Sequence, residues 1–241
     1  RYCGYNQNHH FERKRLTIDQ AVKQADIIAR EGFRDILLVS GEDRKFVTVE
    51  YLCELAEKLR EKFSSISVEI HQLDRWEYEK LFNAGIDGVT IYQETYERNC
   101  YDYFHPQGPK ADYQRRLKAC DDICQAAMRQ VGLGFLMGLK DFRVDTLAMA
   151  EHAHYLTRRY WQTHVSFSFP RIRPATEVQR RQFDHLVTDK QLVQMIVALR
   201  LCFADAGLVL STRESAELRD NLINIGITRI RRIIICVVRG E

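Results

Sequence analysis

The chain has 241 residues, 45% of them hydrophobic, with 36 basic against 33 acidic side chains and a formal net charge of +3. Charge this evenly balanced and spread along the helical segments excludes nucleic-acid binding as the main role. The longest apolar run, 233–238, is too short to cross a bilayer, so no membrane span is expected. Seven cysteines without framework spacing fit a reducing cytoplasm and not a secreted disulfide scaffold.

In chain order, the first feature is Arg1-Tyr2-Cys3-Gly4. Iron–sulfur clusters are held by closely spaced thiolates, which makes Cys3 the candidate metal ligand. Thr17-x-x-Gln20 is a capping box that opens a helix running to Gly32. A short apolar strand, Ile36 to Val39, ends at Gly41-Glu42. Helix 48–62 leads to strand Ser65–Ile70, and Asp74 caps a helix that ends near Gly85. Strand Gly88–Tyr92 ends in Gln93-Glu94. A loop with Pro106, Gly108 and Pro109 precedes a helix from about Asp112 to Gln130. Strand Val131–Met137 ends at Gly138, and helix 144–160 leads to strand His164–Phe169, which ends at Pro170-Arg171. A second capping box, Thr188-x-x-Gln191, opens helix 189–204. Strand Leu208–Ser211 ends at Thr212-Arg213-Glu214, helix 215–225 follows, and Ile227–Ile230 starts a last strand.

Seven apolar strands separated by helices are the pattern of repeated βα units, and a further strand leading into Cys3 would make eight. The expected fold class is therefore α/β, a (β/α)8 TIM-barrel-like core that is incomplete at the N-terminus. An open doubly wound sheet is the alternative, disfavoured because no Gly-x-Gly-x-x-Gly turn follows a strand. Glu42, Gln93, Glu94, Arg171, Arg173, Arg213 and Glu214 all fall just past the carboxyl ends of predicted strands. In a βα barrel, that rim is where active sites are built.

Several segments carry a family resemblance. They include Tyr2-Cys3-Gly4-Tyr5, Leu38-Val39-Ser40-Gly41-Glu42-Asp43 and Val89-Thr90-Ile91-Tyr92-Gln93-Glu94-Thr95-Tyr96. Phe63-Ser64-Ser65-Ile66-Ser67-Val68-Glu69-Ile70, His105-Pro106-Gln107-Gly108-Pro109-Lys110, Gly132-Leu133-Gly134, Arg159-Tyr160-Trp161-Gln162, Ser166-Phe167-Ser168-Phe169-Pro170-Arg171-Ile172-Arg173-Pro174 and Leu210-Ser211-Thr212-Arg213-Glu214-Ser215 complete the set. Residues 1 to about 230 resemble the 2-iminoacetate synthases, the radical S-adenosylmethionine (SAM) tyrosine lyases of thiamine thiazole biosynthesis. Residues 231–241 form a tail that departs from the family.

The resemblance implies a [4Fe–4S] cluster, with Cys3 as the third of three thiolates, and SAM chelated to the open iron. It implies cleavage of the Cα–Cβ bond of L-tyrosine to 2-iminoacetate (dehydroglycine) and p-cresol. A thiazole synthase partner and a reductant protein such as flavodoxin come with it. Since one thiolate cannot hold the cluster, the 241 residues by themselves are expected to be inactive. Alternatives are the tyrosine lyase of hydrogenase maturation and a catalytically inactive barrel.

Site roles follow from the same resemblance. Tyr2 would lie against the adenine. Glu42, next to Gly41, would accept hydrogen bonds from the SAM ammonium, a charge-assisted contact. Tyr92, Gln93 and Glu94 would line the ribose and methionine side, with Glu94 otherwise a partner of Arg116 or a helix cap. Arg116 is a further SAM carboxylate candidate. Gly134 and Gly138 would let backbone approach the adenine, or else simply form tight strand ends. Arg213 would hold the tyrosine carboxylate with its guanidinium fork, aided by Thr212 and Ser211, with Arg173 and Arg171 as second choices. Cys120 and Cys124, His9-His10 and His152/His154 lack ligand spacing and read as structural or surface residues.

Overall fold

The computed structural model describes residues 2, 13–172, 183–231, 234–236 and 238–240. In chain order the elements are β1 (Arg13–Arg15), α1 (Ile18–Arg30), β2 (Asp35–Val39), α2 (Val49–Leu59), β3 (Ser65–Glu69), α3 (Arg75–Ala84) and β4 (Gly88–Thr90). Next come α4 (Arg98–Phe104), α5 (Tyr113–Gln125), β5 (Gln130–Gly134), α6 (Phe142–Arg159), β6 (His164–Ser168) and α7 (Asp189–Cys202). The chain continues with β7 (Gly207–Ser211), α8 (Ala216–Ile223), β8 (Arg229–Arg231), β9 (Ile234–Cys236) and β10 (Val238–Gly240). The backbone divides into two compact units, one of Arg1–His9, Tyr92–Leu117 and Gly132–Arg232, the other of His10–Ile91, Lys118–Val131 and Ile233–Glu241.

In the second of these, strands run parallel in the order β9-β2-β3-β4. Ile36 is opposite Ile66, Val68 opposite Val89, and Leu38 opposite Ile235. The capping box at Thr17 forms as expected, Gln20 and Thr17 exchanging backbone-to-side-chain bonds of 2.9 and 3.3 Å. Asp74 and Glu77 form another at α3, with the Asp74 N–H donating to the Glu77 carboxylate at 2.7 Å. Leu38, Leu52, Leu55, Leu59, Val68 and Leu81 are fully enclosed, so helix and sheet faces meet in a dry layer. The tail was expected only to diverge. Its residues 234–236 pair with β2, and β10 pairs antiparallel with β1.

In the other unit, β6, β7 and β8 are parallel and in register, Ser168 opposite Val209 and Leu210 opposite Ile230. Phe167 packs edge-on against Phe203 at the end of α7, with ring centroids 5.2 Å apart, so the odd-numbered residues of β6 face the helices. His164, Ser166 and Ser168 therefore face the other way, because side chains alternate along a strand.

Three boundaries differ from expectation. Residues 98–104, expected as loop, form α4, because Glu97 caps two backbone N–H groups, those of Asn99 and Cys100. The α5 helix stops at Gln125, short of 130, where Ala127 turns to φ 62°. The strands read as 88–92 and 131–137 end at Thr90 and Gly134, and single bridges (Glu94 to Phe135, Met137 to Arg171) replace regular pairing beyond them.

Two glycines separate backbone strain from crowding. Gly32 and Gly85 both end helices with positive φ, 92° and 104°, but a methyl at Gly32 meets open space, whereas one at Gly85 would lie 2.5 Å from the Arg60 side chain. Gly32→Ala should cost about 1 kcal/mol through φ alone, and Gly85→Ala only slightly more, because the exposed Arg60 side chain can swing aside. Urea unfolding of the two variants measures the difference.

Candidate functional site

The loop following β4 carries three of the expected cofactor residues, Tyr92, Gln93 and Glu94. The Gln93 N–H donates to the Gly134 carbonyl at 2.9 Å, and the Leu136 N–H donates to the Glu94 carbonyl at 2.8 Å. This pairing holds Glu94 at φ 70°, a left-handed conformation that costs a non-glycine residue about 1 kcal/mol or more. Strain kept in place by surrounding bonds is characteristic of a site whose side chains must point one way.

Buried Glu94 accepts a 3.0 Å bond from Lys110. Burial alone would raise its pKa, but the Lys110 and Arg116 charges and the Lys110 bond outweigh it, so the Glu94 carboxyl is held below the usual carboxylate range and stays ionised. Of the two sequence alternatives for Glu94, the hydrogen bond goes to neither Arg116 nor a helix end. Arg116 is also buried, and its Nε donates instead to the Tyr92 carbonyl at 2.8 Å. The Tyr92 ring lies over Gly134: a Cβ there would sit 2.5 Å from its Cδ1. Gly134 is thus required by a protein ring, whatever ligand lies beyond. Gly138, at φ 118°, is required by its turn and faces Ile172.

Tyr2 packs edge-on against Phe104 and His105, at centroid distances of 5.8 and 5.5 Å, beside Leu139 and Phe183. His105 Nδ1 lies 2.9 Å from the Tyr101 carbonyl and must donate to it, which leaves Nε2 to accept from the Tyr2 hydroxyl at 2.9 Å. Burial pushes the His105 pKa down, in keeping with this neutral tautomer. Cys3, the metal candidate, lies outside the described residues, as does Arg173. Among the described residues, no group of three or more His, Cys, Asp or Glu side chains is arranged to hold a metal ion.

The anion-binding candidates part company. Arg171 is buried and its fork is filled: Nε donates to Glu214 at 3.0 Å, Nη2 donates to the other Glu214 oxygen, and Nη1 reaches Asp189 at 2.8 Å and the Val187 carbonyl at 3.0 Å. As a substrate ligand Arg171 is therefore corrected to a structural ion pair, because a carboxylate of the chain itself already saturates it. Thr212 and Arg213 are exposed at the end of β7, and the Ser211 hydroxyl accepts from the Arg213 N–H at 3.2 Å. Gly41 and Glu42 are exposed at the end of β2, where Ser40 and Asp43 bond back to the Gly41 carbonyl at 3.0 and 2.9 Å.

Sequence reasoning gave no role to Asp145, His105 or Lys110. Asp145, fully buried in the first turn of α6, accepts from the Thr95 hydroxyl at 3.0 Å and the Tyr96 N–H at 2.7 Å, which pins the loop after β4. Only the pattern of an acid in a helix's first turn hinted at it.

Burial pushes the Asp145 pKa up to about 6, against bonds from Tyr96 and Thr95 that lower it. A folded-state value above the unfolded one means the carboxyl's contribution is fully present below the unfolded pKa and lost as pH rises through about 6. Asp145→Asn should therefore flatten the melting temperature between pH 5 and 8, while Asp145→Ala should cost about 1–3 kcal/mol at any pH by leaving two buried donors unpaired. Thermal melts at both pH values check this. Arg171→Met should cost about 3–5 kcal/mol by stranding Glu214, and the double variant with Glu214→Leu should recover part of it in denaturant titration.

Residues 1–153 match the model of the Radical SAM superfamily, and residues 168–231 match that of the Biotin and Thiamin Synthesis associated domain. The chain is 39% identical over 230 residues to 2-iminoacetate synthase of Escherichia coli (strain K12), covering 95% of this chain and 60% of that protein. Among solved structures, HydG, a maturase of the [FeFe]-hydrogenase, superposes with a TM-score of 0.91 at 33% identity over 95% of this chain and 52% of that one. HydG from Carboxydothermus hydrogenoformans gives 0.89 at 31% identity, over 97% of this chain and 55% of that one. The chain thus spans little more than half the length of the proteins it matches. The α/β, TIM-barrel-like fold class read from the sequence stands on these likenesses and on the parallel βα units. With a family model matched over its first 153 residues, the chain belongs to the radical SAM superfamily.

Proposed function

We propose that the chain is the core of a radical SAM lyase that breaks the Cα–Cβ bond of L-tyrosine, giving 2-iminoacetate and p-cresol for thiamine thiazole synthesis. The observation that carries this reading is the 39% identity to 2-iminoacetate synthase, sustained over 95% of the chain. The β4 loop suits a bound cofactor. Gln93 is buried and its amide nitrogen has no partner among the described residues, so a donor waits at the rim.

In this reading Cys3 contributes one thiolate to a [4Fe–4S] cluster. Glu42 would accept from the ammonium of SAM, Gln93 would donate to its carboxylate, and Tyr2, Gly134 and Gly138 would border the adenine. When bound, the cluster and SAM would supply the chemistry of hydrogen-atom abstraction at this site. Arg213 clamps the tyrosine carboxylate, Ser211 and Thr212 add hydroxyl donors, and Arg173 is a secondary anion contact. Lys110 neutralises the ionised Glu94, which leaves the Arg116 charge as the candidate for the SAM carboxylate. Residues 1–230 form the radical SAM core, and 231–241 are a divergent tail. A thiazole synthase would take up the product, and a flavodoxin-like protein in the cytoplasm would supply electrons. Among the described residues no helix is long and apolar enough to cross a membrane.

A second reading, the tyrosine lyase of hydrogenase maturation, is favoured by the superposition on HydG. The product separates the two: that lyase would go on to carbon monoxide and cyanide.

Anaerobic incubation of the full-length, cluster-loaded protein with SAM, reductant and tyrosine should release p-cresol without carbon monoxide. Arg213→Ala should lower kcat/KM for tyrosine about 100-fold, as loss of a charge-assisted contact requires. Unchanged turnover in that variant would refute the carboxylate assignment.

A further inference from the structure

Four buried side-chain atoms among the described residues have no hydrogen-bond partner: His71 Nδ1, Gln93 Nε2, Asp145 Oδ2 and Ser168 Oγ. Gln93 and Asp145 belong to the loop already described. Ser168 does not, and its surroundings are distinctive. It is 5% exposed at the carboxyl end of β6, on the face turned away from α7. Its neighbours on that face are small. Gly207 of β7 lies so close that a Cβ there would come within 2.9 Å of the Ser166 Cβ, and Val209 is directly opposite Ser168. A buried hydroxyl without a partner costs about 1–3 kcal/mol, which a ligand group would relieve.

The direction in which such a ligand lies is set by the flanking strands. Toward β5, the Tyr92 ring fills the space over Gly134, and the Ser168 carbonyl stands 3.2 Å from where a Cβ of Gly134 would be. Toward β7, the same face continues through Val209 to Ser211, beyond which comes the exposed Arg213. Parallel strands are about 4.8 Å apart and rise about 3.3 Å per residue, so Ser211, two residues beyond the partner of Ser168, lies about 8 Å from it. That span matches the length of a tyrosine side chain. A cation for a carboxylate, an apolar Val209 for a ring and a neutral hydroxyl for a phenol follow one another along it.

We propose that Ser168 is the specificity-determining residue for the substrate, hydrogen-bonding the phenolic hydroxyl of tyrosine while Arg213 holds its carboxylate. This rests on the tyrosine-lyase reading and deepens it. A serine hydroxyl both donates and accepts, as a neutral phenol does, and phenylalanine would leave it unpaired.

The test uses the full-length, cluster-loaded protein. Dissociation constants for tyrosine and phenylalanine are measured by calorimetry in the presence of SAM, and 5′-deoxyadenosine formation with each gives kcat/KM. Ser168→Ala should weaken tyrosine binding and lower its kcat/KM about 10- to 100-fold, leave phenylalanine within about threefold, and so erase most of the preference. The melting temperature of the ligand-free variant should be equal to or above that of the wild type, since an unpaired group has been removed; a purely structural serine would lower it. A tyrosine preference that survives the substitution, or an equal loss for both amino acids, overturns the assignment of Ser168 alone. Wild-type protein that binds neither amino acid overturns the substrate reading together with it.

Discussion

A single carboxylate organises the loop on which the candidate site depends. Asp145 is enclosed at the start of α6 and takes bonds from the Thr95 hydroxyl and the Tyr96 N–H. Two residues earlier, Glu94 sits in the left-handed region, held by the Leu136 N–H at its carbonyl and by Lys110 at its side chain. Neither arrangement is favourable alone. A buried carboxyl resists ionisation, and a non-glycine residue resists positive φ. Together, each fixes the backbone that the other needs, and Gln93 between Tyr92 and Glu94 is left with a buried amide nitrogen bonded to nothing in the described chain. Preorganisation of this kind places the cost of ordering the loop in the folding of the protein, not in ligand binding.

Much of this was legible in the sequence where the signal is local. Capping boxes at Thr17 and Thr188 formed because both partners lie within one turn of helix, where tertiary context has little say. The βα alternation was legible for a similar reason, since strands covered on both faces must read as apolar runs. Gly41-Glu42, Gln93-Glu94 and Thr212-Arg213 fell just past strand ends, as the pattern required.

What escaped was decided by distance in sequence. That Arg171 is spent on Glu214, 43 positions away, has no local signature, and each of the two reads as a free rim charge. Asp145 meets Thr95 across 50 positions, and Tyr2 meets His105 across 103. Pairing of residues 234–236 with β2 was hidden likewise, because a short apolar run beyond an apparent terminus carries no mark of its partner. The α4 helix was missed because its start depends on Glu97, an uncommon cap, while Pro106 and Gly108 nearby suggested loop.

The segment after β7 shows how one short stretch assigns opposite duties to adjacent charges. Thr212 and Arg213 are exposed, whereas Glu214 turns inward and is 3% exposed against Arg171. Ser215 then caps α8 by accepting from the Leu218 N–H at 3.3 Å, and Arg219, one turn along, donates to the Thr212 and Glu214 carbonyls at 2.9 and 3.0 Å. The inward ion pair and the outward guanidinium are therefore consequences of the same turn. With Glu214 committed to Arg171, the Arg213 charge is not neutralised by its own neighbour in sequence and stays available to an anion. A substitution at Glu214 would displace Arg213 without touching it, because the turn that presents Arg213 would lose its anchor.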